Sequence, residues 1–196
     1  MKNLILASAS KTRNQILLNA GVEFSTMAST IDEVLIKEEL GEDSAEKIAL
    51  KLAVLKAQNV SNLNRGAFVI GADQILECEG LLYSKPVDRA NSESHLKSLQ
   101  GKTHRLISAV CVVCNQRVLW EKIDCVNLTM RDLSDDFIQN YLNQAGKDIL
   151  SSVGGYRLEG IGAQLFKKVE GDFFTVLGLP LFPLLEFLRN NKILNT

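Results

Sequence analysis

The sequence is short of the features that mark membrane, secreted or nucleic-acid-binding proteins. No apolar run approaches the ~18 residues that a bilayer-spanning helix requires. The opening stretch Met1-Lys2-Asn3-Leu4-Ile5-Leu6-Ala7-Ser8 is too short for the apolar core of a secretory signal. An excess of one charge is missing too: 22 Lys and Arg stand against 23 Asp and Glu, a net charge of -1, without the basic bias that nucleic acids select. These gaps lead to the expectation of a cytoplasmic protein with neither a membrane nor a nucleic acid as partner.

Metal-binding side chains of the zinc type are equally sparse. Besides two histidines, His95 and His104, there are four cysteines, and only Cys111 and Cys114 form a C-x-x-C. Leu106 to Cys114 reads as a strand, in which residues three apart point to opposite faces, so the two thiols cannot easily share a ligand. Cys78, Cys111, Cys114 and Cys125 therefore read as reduced, small apolar packers. Internal repeats, low-complexity tracts and interdomain linkers are also missing. With 46% hydrophobic residues, the chain reads as one large domain over residues 1–196, able to bury about 70% of the surface its unfolded form exposes.

What is present centres on Val69-Ile70-Gly71-Ala72-Asp73-Gln74-Ile75-Leu76. The Val and Ile enrichment predicts a buried strand, yet it carries a carboxylate with no charged partner in the run, which is costly to bury unpaired. Gly71 and Ala72 leave the backbone beside Asp73 open, which suits the close approach of a ligand or a metal ion. Pro86 holds Lys85 extended at the end of a short following segment. From these residues alone, Asp73 is either part of a site, one half of a buried ion pair, or a solvent-facing acid on an edge strand.

The remaining pattern predicts an α/β protein, an elongated mixed β-sheet flanked by helices. Leu4 to Ala7 reads as a strand that runs through Ser8-Ala9-Ser10 into a helix over Lys11 to Ala20, capped by Ser10 and ended by Gly21. Lys11 and Arg13 oppose the dipole at the start of that helix, where a bound phosphate would suit them better than helix stability does. Val22 to Ala28 reads as a second strand, left by Asp32 and Glu33 as two adjacent carboxylates. Ser44 caps a helix from Ala45 to about Val60, on which Lys51 and Lys56 read as solvated bases. Glu77-Cys78-Glu79-Gly80 turns the chain back into Leu81 to Tyr83, and Asp88 caps a helix from Arg89 to Gln100. Thr103–Cys114 and Val118–Met130 form a long hairpin, and Ser134 caps a helix ended by Gly146. Ser151 to Gly162 reads as a glycine-rich binding loop, Ala163 to Val169 as a strand, and Gly178-Leu179-Pro180 as the opening of a final helix.

Taken in order, Leu4-Ile5-Leu6-Ala7-Ser8-Ala9-Ser10 with Arg13, Ile31-Asp32-Glu33, Gly71-Ala72-Asp73, Ser84-Lys85-Pro86, Leu99-Gln100-Gly101-Lys102-Thr103-His104, Tyr156-Arg157-Leu158-Glu159-Gly160 and Val176-Leu177-Gly178-Leu179-Pro180-Leu181 resemble the Maf proteins over nearly the whole chain. The resemblance implies an inosine triphosphatase-like fold and a nucleoside triphosphate pyrophosphatase. Such an enzyme cleaves between the α and β phosphates with a divalent metal, which the resemblance implies to be Mg2+. By match to the family's motifs, Ser8, Ser10 and Arg13 bind substrate phosphate, Glu33 and Asp73 serve the metal and the attacking water, and Lys56 and Lys85 stabilise developing charge. It also implies a homodimer and, as another class of function, a nucleotide-dependent regulator of septum formation. Gln74 and Glu159 stand where many members have Thr and Gln, which is similar to the 7-methyl-GTP subgroup rather than the dTTP and UTP one. Thr12 replaces an arginine of the commonest pattern, and Ser151-Ser152 a charged pair.

Overall fold

The computed structural model describes residues 3–41 and 43–194. In chain order the elements are β1 (Leu4–Leu6), α1 (Lys11–Asn19), β2 (Ser25–Thr26), α2 (Glu33–Leu40), α3 (Ala45–Leu63), β3 (Phe68–Cys78), β4 (Leu81–Tyr83), α4 (Arg89–Leu99), β5 (Thr103–Cys114), β6 (Arg117–Met130), α5 (Asp135–Ala145), β7 (Phe166–Glu170), α6 (Phe173–Val176) and α7 (Leu181–Asn190), with three short 3-10 turns between α5 and β7. Among the described residues the strands form one seven-stranded mixed sheet of order β2-β1-β3-β5-β6-β7, with β4 added on β3. Pairing is parallel for β1 with β2 and β3, and antiparallel for β3 with β4 and β6 with β7. The α/β class expected from the residues is the one observed.

The chain packs as two compact units. One holds the residues through Gln74, Ile107–Asp124 and those from Asp172 onward; the other holds Ile75–Leu106 and Cys125–Gly171. The core of the first joins Leu4 and Leu6 of β1, Ile16 and Leu17 of α1, Ile70 of β3, Val110 and Val112 of β5, and Leu184 and Leu188 of α7. Trp120 stacks on Phe187 at its margin, with ring centroids 5.2 Å apart. In the second, His104, Tyr156 and Phe166 form an aromatic cluster, with Tyr156 and Phe166 edge to face at 4.8 Å.

The turns carry the registers. Asn115 and Gln116, both with positive φ, close the β5–β6 hairpin, and Glu79 with Gly80 closes β3–β4 in the same way. The side chains of Ser10, Ser44, Asp88 and Ser134 each accept a backbone N–H at the start of the helix they were expected to cap.

Three segments differ from the sequence expectation. Val22 to Ala28 is not a strand: only Ser25–Thr26 pairs, because Val22 closes α1 instead. Its N–H bonds the Leu17 carbonyl while Gly21 N–H bonds that of Leu18, the double bond of a Schellman ending with its apolar residue just beyond the glycine. Residues 33–40 form a helix that was not foreseen, and none of its residues is buried, so it has no apolar stripe to read. The strand expected at Ala163–Val169 begins later, at Phe166, after a 3-10 turn over Ile161–Leu165.

Candidate active site

The first unit brings four of the expected site residues, Arg13, Glu33, Lys56 and Gln74, to Asp73 or its immediate neighbours. Gly71 decides the geometry. A Cβ there would lie 2.1 Å from the Ala53 carbonyl oxygen and 2.8 Å from Ala57 Cβ, so α3 lies directly on β3. The openness beside Asp73 that the sequence suggested is filled by this helix, not held for a ligand. The approach brings Lys56, one residue before Ala57, onto Asp73. Lys56 sits in the buried stripe of α3, four residues after Leu52 and four before Val60. That spacing, rather than its charge, was the signal that it is not a solvated surface base.

Lys56 and Asp73 are 7% and 5% exposed. The Lys56 ammonium donates to Asp73 Oδ1 at 2.7 Å and lies 2.9 Å from Glu33 Oε1. The two carboxylates expected as one acidic pair have separate tasks. Asp32 caps α2 by accepting from the N–H groups of Val34 and Leu35, each at 3.1 Å, while Glu33 reaches Lys56. Asp73 Oδ2 is buried with no hydrogen-bond partner among the described residues. An unsatisfied anionic oxygen of that kind is costly unless something else completes it.

Arg13 comes from the first turn of α1. Its Nε donates to the Gly178 carbonyl at 2.8 Å and its Nη1 to the Ala72 carbonyl at 2.9 Å, leaving the other guanidinium protons for an anion. Burial pulls the Arg13 pKa below its ordinary value, and the negative charges of Asp73 and Glu33 oppose that pull. The group stays cationic. Ser10 Oγ accepts from Arg13 N at 3.3 Å and Ser8 Oγ from Ser10 N at 3.1 Å. Both hydroxyls keep their own proton to donate. The β1–β3 register pairs Leu6 with Ile70, so Ser8 lies as far past the paired residues as Ala72 does.

Gln74 is committed more fully than its position suggested. Its Nε2 lies within 3.1 Å of Ser108 Oγ and of the Thr175 and Val176 carbonyls. Ser108 and Thr175 were given no role by the sequence reading, although Ser108 is a lone hydroxyl in the apolar run of β5, and Gly178 was read only as part of a motif and a helix opening.

Lys85 and Glu159 belong to the second unit. Lys85 is exposed, with Pro86 buried after it. Glu159 Oε1 accepts from Arg157 Nε at 2.9 Å, and Arg157 Nη1 donates to Asp148 Oδ2 at 3.0 Å. The bond to Glu159, ahead of the Asp148 contact, raises the Arg157 pKa. The glycine-rich segment is packed rather than open: Gly154, Gly155 and Tyr156 are buried, and Tyr141 donates to the Gly155 carbonyl at 3.2 Å.

The family model for Maf-like proteins matches residues 3–191. The chain belongs to the Maf-like protein family. A nucleoside triphosphate pyrophosphatase of Nitrobacter winogradskyi is 48% identical over 98% of this chain and 95% of its own length. A 7-methyl-GTP pyrophosphatase of Brucella abortus is 45% identical over 98% of each chain. Among solved structures, a HAM1 protein from Coxiella burnetii overlaps 66% of this chain and 73% of its own at 13% identity, with a TM-score of 0.42. That overlap adds nothing to the assignment.

The donor set of this Maf-like chain suits a hard divalent cation. Among the described residues no three His, Cys, Asp or Glu side chains converge, as a site made wholly of protein ligands would need. Mg2+, however, takes one or two carboxylates and completes its shell with water and substrate phosphate. Asp73 Oδ2 and the Glu33 carboxylate offer that number. The described cysteines are all free thiols, and burial pushes Cys111 up to about 12.

The second unit of the Maf-like chain carries a pH dependence. His104, buried, shares a 2.6 Å hydrogen bond between its Nε2 and the Tyr156 hydroxyl, and its Nδ1 has no partner among the described residues. Burial lowers its pKa to about 4, so it is neutral at pH 7. The unfolded chain takes up this proton near pH 6.5 and the folded chain only near 4. Stability is therefore complete above 6.5 and falls as pH drops towards 4, by roughly 3 kcal/mol. Burial shifts His95 in the same direction. Urea unfolding at pH 7.5 and 4.5 should show most of this loss in the wild type and a smaller one in His104→Gln. Equal losses in both would remove His104 as its source.

Proposed function

We propose that this chain hydrolyses nucleoside triphosphates between the α and β phosphates, releasing a monophosphate and pyrophosphate. The observation that carries this reading is the buried Lys56 ammonium held between Glu33 and Asp73, with the second Asp73 oxygen left unpartnered. A structural ion pair needs one acid and satisfies all its atoms. This arrangement holds a second acid and an orphaned oxygen beside a half-buried arginine. The names of relatives at 45 to 48% identity over nearly full length support the same reaction.

Phosphoryl transfer leaves a protein mainly positioning and charge neutralisation to supply. Arg13 binds phosphate oxygens through the protons that its two carbonyl bonds leave over, and Ser8 and Ser10 donate their hydroxyl protons to the same anion. Lys56 fixes the rotamer of Asp73 through Oδ1 and points Oδ2 away as the base that takes a proton from the attacking water. The resemblance of Ser84-Lys85-Pro86 to the Maf motif is what supports a role for Lys85 in stabilising developing charge. Glu33 and Asp73 would hold Mg2+, which when bound neutralises phosphate charge and acidifies its water. A cytoplasmic setting, where nucleoside triphosphates are made and spent, goes with this reading.

For the base, 7-methyl-GTP is the favoured substrate, with dTTP or UTP as the alternative. Guanine methylated at N7 carries a delocalised positive charge. Arg157 lies between Asp148 and Glu159, a group of three charges that leaves one negative over and so favours a cation. The Gln74 and Glu159 pair and the name of the Brucella abortus relative support this choice.

The test is a panel of GTP, 7-methyl-GTP, UTP and dTTP, with pyrophosphate and orthophosphate detected separately, with and without chelator. Pyrophosphate as the single inorganic product, lost with chelator, is the expected result; stepwise orthophosphate release would point to a phosphatase. Glu159→Gln should lower the kcat/KM ratio of 7-methyl-GTP over GTP about tenfold, the equivalent of ~1.4 kcal/mol. An unmoved ratio, or a wild-type preference for UTP, ends the base assignment and leaves the reaction standing.

A further inference from the structure

The segment from Asp172 to Gly178 offers its carbonyls to the two side chains that flank Asp73. The Thr175 carbonyl accepts from Gln74 Nε2 at 3.1 Å and from Ser108 Oγ at 2.9 Å, the Val176 carbonyl from Gln74 Nε2 at 3.0 Å, and the Gly178 carbonyl from Arg13 Nε at 2.8 Å. Arg13 also donates to the Ala72 carbonyl. The turn thus reaches β3 through the residue before Asp73 and again through the residue after it.

The turn is shaped around these groups. Gly178 has a φ of +91°, which a side chain would strain, and a Cβ there would lie 3.3 Å from Arg13 Nη2 and in ordinary contact with Gln74 Oε1 at 3.5 Å. What sets the turn is Thr175, fully buried. Its N–H donates to Asp172 Oδ1 at 3.0 Å, and its hydroxyl donates to Asp124 Oδ2 on β6 at 2.7 Å. A hydroxyl bonded to a carboxylate is among the stronger side-chain hydrogen bonds, and it ties the turn to a strand that no part of the proposed chemistry uses.

We propose that Thr175 and Asp124 are positioning residues for the hydrolysis. Their hydrogen bond places the turn's carbonyls, which orient Arg13 and Gln74 and so fix the backbone on both sides of Asp73. Neither residue touches the substrate. The kinetic consequence rests on the pyrophosphatase reading, whereas the orientation of Arg13 can be measured without turnover.

The experiment compares Thr175→Val, Thr175→Ser, Arg13→Ala and the double variant Arg13→Ala/Thr175→Val. Thr175→Val should lower kcat/KM about tenfold in the wild-type background but less than about threefold beside Arg13→Ala, because the phosphate-binding group that the turn orients is then gone and only Gln74 is left for the loss to act through. Thr175→Ser, which keeps the hydroxyl, should restore activity. In the nitrogen-15 NMR spectrum, exchange of the Arg13 Nε–H with water should accelerate about fivefold or more in Thr175→Val and stay unchanged in Thr175→Ser. Unchanged exchange in Thr175→Val overturns the proposal, and so does an equal kinetic loss in both backgrounds. If the wild type turns over no nucleoside triphosphate, the pyrophosphatase reading falls and the exchange measurement alone decides the role of Thr175. Should Thr175→Val not fold, Asp124→Asn carries the same measurements with less change of shape.

Discussion

Asp73→Asn is expected to lower kcat by about 10²-fold or more while the protein still folds. Asparagine keeps the shape of the side chain, and its amide oxygen can still accept from Lys56. The ammonium also keeps Glu33, 2.9 Å away, as a charged partner, so the buried cation is not abandoned. What disappears is the anionic Oδ2, the one oxygen of the group that no described residue satisfies. Pyrophosphate release at saturating Mg2+ and nucleotide, with circular dichroism to confirm folding, checks the expectation. Turnover within tenfold of wild type would remove Asp73 from the chemistry and return it to the part of a structural ion pair.

Gly71→Ala should be the most damaging single methyl group that can be added near the site. The new Cβ would lie 2.1 Å from a main-chain oxygen of α3, and a helix backbone cannot swing aside as the tip of a flexible side chain can. Overpacking of this severity is expected to cost on the order of 3 kcal/mol or more. Whatever fraction still folds must shift α3 away from β3 and carry Lys56 off Asp73. Denaturant unfolding should show the loss, and activity per folded molecule should fall as well. A variant within ~1 kcal/mol of wild type would show that the two elements are less closely packed than the geometry requires.

Much of the fold was legible because it is written in short-range chemistry. Ser10, Ser44, Asp88 and Ser134 cap the helices they precede, since a cap is a bond between residues three apart. β3 announced itself by its Val and Ile content, and the acid inside it pointed to the buried cluster with Lys56 and Glu33. α2 was missed because none of its residues is buried and periodicity has nothing to report in a helix without a buried face. Val22 misled for the opposite reason: an apolar residue before a short strand was also the apolar end of a Schellman turn.

The candidate site was legible by residue but not by arrangement. Resemblance named Glu33, Lys56 and Asp73. That Lys56 bridges both acids follows from the close packing of α3 on β3 at Gly71, two neighbouring elements whose mutual approach no local pattern supplies. Gln74 shows the same limit. Its amide is spent on Ser108 and on two carbonyls about a hundred residues further along the chain, partners that nothing near Gln74 in the sequence identifies.

The first unit has a consequence for how the protein is made. Its core joins Leu6, near the start of the chain, to Leu184 and Leu188 of the last helix. At roughly 5–20 residues per second on a ribosome, some ten to thirty-five seconds separate the synthesis of β1 from that of α7. During that interval the apolar faces of β1 and α1 have no final covering, and the contacts that close the core span nearly the whole chain, which slows folding. The nascent chain must therefore keep those faces from meeting a neighbour, and a transcript cut short before Leu181 would release a product whose first strand never acquires its lid.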